Sequence, residues 1–121
     1  MFKIKVRGEF SAAHCIDGYA GDCARLHGHN WRVVAAFKNE KLDELGFAWD
    51  FKKAKTFLNE ILKEFDHDLL NKKEILAGGN PTSERIAEAI YKKLKKGVPE
   101  NIAVESVEVF ESDSASVEFS E

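Results

Sequence analysis

Apolar and polar residues alternate from the first positions of the chain: Phe2, Ile4 and Val6 interleave with Lys3, Lys5 and Arg7. A period of two sends each set to one side of a pleat, so this stretch predicts a half-buried strand. Gly8 breaks the pattern where a bulge would fit, and Phe10-Ser11-Ala12-Ala13-His14 carries it on. Turn-forming residues over 17–22 predict a loop. A second alternation, from His29 to about Lys38, puts Trp31, Val33, Ala35 and Phe37 on one face. The period then changes. Phe51, Ala54, Phe57, Leu58, Ile61, Leu62 and Phe65 recur at three- and four-residue steps behind Asp50, which predicts a capped helix over about 51–65 with one buried face. After Gly78-Gly79 a second helix, with Ile86, Ile90 and Leu94 inward, runs to near Gly97. Asn80 or Thr82 can cap it; with Asn80 as cap, Pro81 takes the first helical position. Two further strands, Ala103 to Glu111 and Ala115 to Phe119, flank the turn Ser112-Asp113-Ser114.

Strand, strand, helix, helix, strand, strand predicts an α+β fold, a four-stranded antiparallel sheet with two helices on one face. At 121 residues the chain reads as a single domain, 1–121. Its composition, 44% hydrophobic and 32% charged, is that of a globular protein. The first residues lack the apolar core of a signal peptide, so a cytoplasmic location is expected, with no membrane segment. A formal charge of −3 gives no surplus of cations to neutralise phosphates, which argues against nucleic acid as a partner. Cys15 and Cys23 are expected to stay reduced in that compartment.

The four histidines change the picture more than the composition does. His27 and His29 are one residue apart at the start of a predicted strand, so they point to the same side. His14 ends the preceding strand. Three neutral imidazoles suit zinc and leave its fourth position for substrate or water, although a His-x-His pair is also common surface decoration. Cys23 lies four residues before His27: it is either a fourth ligand that closes a structural site, or a thiolate base beside the metal. Asp66 precedes His67, and a carboxylate can fix an imidazole's tautomer, but adjacent side chains seldom bond to each other. Glu111 carries the parity of the buried face, where a lone carboxylate is costly unless paired. It is either solvated at the strand end or an anchor for a ligand with paired N–H donors.

Taken in order, Phe10-Ser11-Ala12-Ala13-His14, Cys23-x-x-x-His27-Gly28-His29-Asn30, Asp50-Phe51, Asp66-His67-x-x-Leu70-Asn71, Asn80-Pro81-Thr82-Ser83-Glu84 and Glu111 resemble the 6-pyruvoyl-tetrahydropterin synthase family over nearly the whole chain. The Cys-x-x-x-His-Gly-His spacing resembles its 6-carboxy-tetrahydropterin synthase branch, which serves queuosine-type 7-deazaguanine synthesis. A branch that makes 6-hydroxymethyl-dihydropterin places a glutamate near the cysteine; here Ala24 and Arg25 stand there. The resemblance implies a tunnelling fold (T-fold), in which sheets join edge to edge into a trimeric barrel and two trimers stack as a homo-hexamer. Active sites then lie between subunits, so Cys23 is expected to meet Asp66 and His67 of a neighbour.

The implied substrate is 7,8-dihydroneopterin triphosphate, converted to 6-carboxy-5,6,7,8-tetrahydropterin with loss of acetaldehyde and triphosphate; the pyruvoyl-forming reaction is the alternative. By the same resemblance His14, His27 and His29 hold Zn2+, Cys23 is the base, and His67, oriented by Asp66, moves a second proton. Glu111 grips the pterin edge with help from backbone groups of Thr82 and Ser83. Lys3, Lys5, Arg7 and Arg25 are unranked candidates for the triphosphate. Trp31 and Trp49 depart from the smaller residues of relatives and are expected to reshape the pocket. A non-enzymatic metal- or pterin-binding protein and a zinc hydrolase are the competing classes; the hydrolase lacks a carboxylate base in sequence next to the histidines.

Overall fold

The computed structural model describes residues 1–121. Its strands are β1 (Phe2–His14), β2 (His27–Asn39), β3 (Asp68–Leu69), β4 (Ala103–Ser112) and β5 (Ala115–Phe119); its helices are α1 (Phe51–Leu62) and α2 (Ser83–Gly97). They form one sheet in the order β3-β1-β2-β4-β5. The four expected strands are present and antiparallel to their neighbours. The sheet has five strands rather than four, because Asp68 and Leu69 pair in parallel with Ala12 and Ala13 on the β1 edge. A two-residue strand has too little alternation to be read from sequence.

Both helices pack on the face that carries Val6, Phe10, Trp31, Val33, Phe37, Val107 and Val109, all buried. Leu58 and Leu62 of α1 and Ile86, Ile90 and Leu94 of α2 close the same core. Asp50 caps α1 by accepting from Lys52 N at 2.8 Å. The helix stops at Leu62, where three-residue hydrogen bonds (Glu64 N to Ile61 O, Phe65 N to Leu62 O) tighten the chain. Phe65 is buried beyond the helix end, while Phe51, expected inward, is 60% exposed. Of the two candidate caps for α2, Thr82 serves, its Oγ1 accepting from Arg85 N. Pro81 therefore stays outside the helix.

Gly8 marks no bulge, since β1 and β2 stay in register from Phe2↔Asn39 to His14↔His27. It marks the closest approach of α1. A Cβ there would lie 2.7 Å from Leu62 Cδ1 and 2.8 Å from Asn59 Oδ1. The irregularities fall in β4 instead, one between Ala36/Phe37 of β2 and their partners, the other between Phe110 and Ser112 against β5. The second leaves Glu111 as the unpaired residue. Bulges turn side chains out of the plain alternation, and this one lies at the end of the sheet that holds the histidines.

Candidate metal centre and proton-transfer pair

His14 closes β1 and His27 opens β2, directly opposite each other in register, with His29 opposite Ala12. Their rings form a cluster with centroid separations of 4.6, 5.3 and 4.8 Å. The outer nitrogens are tied to the backbone: His14 Nδ1 lies 2.8 Å from Pro81 O and His27 Nδ1 2.7 Å from Arg25 O. A carbonyl can only accept, so each Nδ1 carries the proton and each Nε2 keeps its lone pair. Beneath the cluster lies Trp31, fully buried, edge-on to His14 and His29 and donating from Nε1 to Ala12 O at 3.2 Å. Trp31 is thus the floor of the site, whereas Trp49 packs against Phe37 and Phe57 in the core and reshapes nothing at the histidines.

One ligand atom each from His14, His27, His29 and Glu111 lies within 4.8 Å of the others, a group that could hold a metal ion. Glu111 Oε1 stands 2.9 Å from His29 Nε2 and 3.5 Å from His14 Nε2. Both Nε2 atoms are buried with only this carboxylate, at ion-pair distance, in front of them. The buried His14 lone pair has no donor, and together with the His29 Nε2 and the Glu111 carboxylate it is costly as protein-only chemistry and suits a cation. Burial holds the His29 pKa below its ordinary value; Glu111 opposes that shift, and the neighbouring His27 and His14 reinforce it. A neutral imidazole is the form a metal binds. The donor set therefore fits a divalent transition metal, with nitrogen and carboxylate ligands and outer-nitrogen bonds in place.

The fourth side chain at the cluster is Glu111, not Cys23. Cys23 sits in a single 3-10 turn, Asp22–Ala24, just before Arg25. It is a free, half-buried thiol, as is Cys15. Among the four cations considered for the triphosphate, Arg25 is next to the cluster through its carbonyl. Lys3 is eleven residues up β1 from His14, about 35 Å at strand rise, and is paired with Glu105 at 3.2 Å.

Asp66 and His67 do meet side chain to side chain, at an ion-pair distance of 2.9 Å between Oδ2 and Nδ1. His67 has φ 55, the one non-glycine residue with positive φ, and that twist lets neighbours face each other. The other Asp66 oxygen accepts from Ser11 N at 2.8 Å, while His67 N donates to Ser11 O. The pair is thereby fastened to the edge of β1. The Ser11 N–H first, then His67, hold the Asp66 carboxyl below its ordinary range. His67 lines an open cleft of about 490 Å3 with Ser11, Ala13, Gly28 and Asn30. These four alternate with the buried positions of β1 and β2, and Ala12, Asp68 and His29 also line the cleft, so it lies across the ends of β1 and β2 and reaches one member of the histidine cluster.

Thr82 and Ser83 begin α2 next to Pro81, the residue that holds His14. Thr82 N already donates to Asn80 O, and Thr82 O accepts from Ile86 N. Ser83 is buried.

The chain matches the profile of the 6-pyruvoyl tetrahydropterin synthase family over residues 3–121. It is 36% identical over 116 residues to a 6-carboxy-5,6,7,8-tetrahydropterin synthase of Synechocystis sp., covering 91% of this chain and 86% of that one. It is 30% identical over 116 residues to a dihydroneopterin monophosphate aldolase of Pyrococcus furiosus, covering 96% and 95%. The fold superposes on a Caenorhabditis elegans 6-pyruvoyl tetrahydropterin synthase with a TM-score of 0.86 at 24% identity, over 99% and 95% of the two chains. With a profile match over nearly its whole length and a T-fold sheet to go with it, the chain belongs to the 6-pyruvoyl tetrahydropterin synthase family of enzymes.

Proposed function

We propose that the protein is a zinc-dependent lyase that converts 7,8-dihydroneopterin triphosphate and one water to 6-carboxy-5,6,7,8-tetrahydropterin, acetaldehyde and triphosphate. The observation that carries this reading is the trio of imidazoles, two of them with Nδ1 tied to a carbonyl, beside the Glu111 carboxylate. His14, His27 and His29 would hold the ion. When bound, zinc supplies a Lewis acid that makes the side-arm hydroxyls of the substrate easier to deprotonate. Cys23, as thiolate, removes a proton from the side arm, and His67 carries a second, its Nδ1 held by Asp66 so that Nε2 does the exchange. Glu111 accepts two N–H donors from the pterin edge, a charge-assisted pair that fixes the ring. Its place beside the imidazoles sets the distance from ring to reacting side arm. Ser83 and the second lone pair of the Thr82 carbonyl complete the contact to the ring.

The His67 side chain is 82% exposed beside an open cleft at the ends of β1 and β2, which supports a site completed by a second subunit. On the helix-free face of the sheet β1 carries Lys3, Lys5 and Arg7, while β4 and β5 carry Glu105, Glu108 and Glu118. Lys3 and Glu105 pair within the chain, which leaves Lys5 and Arg7 on β1 and Glu118 on β5 to favour β1 of one copy beside β5 of the next, the closure a trimeric barrel needs. Stacking of two such trimers gives the hexamer, and a cytoplasmic, queuosine-type pathway role follows the same reading.

A second reading, favoured by the P. furiosus relative, is an aldolase acting on dihydroneopterin monophosphate. Incubation of zinc-loaded protein with each pterin separates the two by product mass. Acetaldehyde with the carboxylated pterin supports the first reading; a pyruvoyl product without acetaldehyde indicates the sister synthase, and a hydroxymethyl pterin the aldolase.

A further inference from the structure

Cys23 is a free thiol in a short turn of the loop between β1 and β2, and a base there must be held in a working position. The loop between β1 and β2 has one backbone bond from its first arm to the turn that bears Cys23, Ile16 N to Cys23 O at 2.8 Å. The residues on either side of Ile16 are each gripped by an asparagine from the connection between the helices. Asn71 Oδ1 accepts from Cys15 N at 2.9 Å and Asn71 Nδ2 donates to Cys15 O at 3.0 Å. Asn80 does the same for Asp17, at 2.9 and 3.0 Å. A planar amide offers a donor and an acceptor side by side, as a facing strand residue does. The two asparagines thus stand in for a missing strand along 15–17 and hold Ile16 between them.

We infer that Asn71 and Asn80 are positioning residues for Cys23, acting through the Cys15–Asp17 backbone and the Ile16–Cys23 bond. This rests on the reading of Cys23 as the base. The residue type matters. An aspartate would set an oxygen against the Cys15 or Asp17 carbonyl, and an alanine would leave both backbone groups to water. Asn80 also neighbours Pro81, whose carbonyl holds His14, so one short segment ties the thiol loop and a metal-ligand candidate together.

The test uses the intact zinc-loaded protein with Cys15→Ala as background, so that alkylation by iodoacetamide reports Cys23 alone. Asn71→Asp and Asn80→Asp are expected to raise the Cys23 alkylation rate about tenfold, the effect of losing one typical net hydrogen bond. They are expected to lower kcat by about 10- to 100-fold, as misplacement of a catalytic group does, with KM and zinc content unchanged. Wild-type alkylation and kcat in both variants would overturn the inference, as would loss of zinc in step with loss of kcat. A measurement free of variants guards against misfolding: the Ile16 amide of the native protein should exchange with deuterium at least about tenfold slower than an open loop. Exchange at the open-loop rate would also overturn it. If Cys23→Ala kept full turnover, the base assignment would fall, while alkylation and exchange would still report how the thiol is held.

Discussion

Asp66→Asn tests the proton-transfer pair with little change of shape. One side-chain oxygen can keep accepting from Ser11 N, so the link to β1 survives. The other position becomes an NH2 donor facing His67 Nδ1, 2.9 Å away. Two donors cannot share that contact, and the imidazole is driven to the tautomer with its proton on Nε2. The size of the effect depends on surroundings. In a lone chain the His67 side chain is 82% exposed; water would rescue the pair, and kcat would fall only a few-fold, as for other solvated ion pairs. In a site closed by a second subunit the wrong tautomer removes general acid–base help, on the order of 10² to 10⁴ in rate. We expect the larger loss, with KM nearly constant and the His67 nitrogen chemical shifts exchanging their assignments by NMR. A wild-type kcat with the tautomer inverted would refute the role of His67; an unchanged tautomer would refute the role of Asp66. The pH dependence of stability has a definite sign too. The Asp66 pKa is lowered on folding, chiefly by Ser11 N–H, so its contribution is complete above the ordinary aspartate pKa, about 3.9, and lost as pH falls through the lower folded value. Asp66→Asn should therefore flatten acid unfolding only below about pH 4.

Glu111→Gln should raise KM for the pterin by about ten- to a hundredfold through loss of charge-assisted bonds, with zinc content by atomic absorption unchanged; loss of zinc would make Glu111 a ligand instead of an anchor. Chelation of the metal should lower Tm, since free metal at a hundred times its Kd stabilises by about 2.7 kcal/mol, and His27→Ala should show no such shift on chelation. Gly8→Ala should cost about 1–3 kcal/mol by overpacking against Leu62 and Asn59, read by urea unfolding; an unchanged midpoint would mean that α1 shifts freely.

The strands and helix faces were legible because burial on one side of a sheet imposes a period on the sequence. Trp31, Val33, Ala35 and Phe37 alternate and are all buried as the pattern requires. The histidine trio was legible for the same reason: parity puts His27 and His29 on one face, and hairpin register brings His14 opposite His27. The features that the sequence does not display depend on contacts that no period encodes. Gly8 read as a bulge because its real neighbour, Leu62, is distant in sequence. The Asp66–His67 contact is unexpected of adjacent residues because it accompanies a φ of 55 at His67, whose N donates to the distant Ser11 O. Asn71 falls in a turn and Asn80 reads as a candidate cap of α2, and neither reading points to partners in residues 15–17.

These omissions share a source. The connection from α1 to α2, residues 63–82, holds only the two-residue β3 and two single 3-10 turns, Leu70–Lys72 and Glu74–Leu76, so most of its side chains and peptides are free to bind elsewhere. Asp66 and His67 take Ser11, Asp68 and Leu69 pair with Ala12 and Ala13, Asn71 takes Cys15, Asn80 takes Asp17, and the Pro81 carbonyl takes His14. Residues 11–17 are thus supported almost one by one from a single strip of chain. A sheet edge is rigid along its hydrogen bonds only where it has a neighbour, and β1 has one on this side only near the histidines. The irregular connection is the partner that makes the end of β1 firm enough to hold three converging imidazoles, the carboxylate–imidazole pair and the thiol loop in fixed relation.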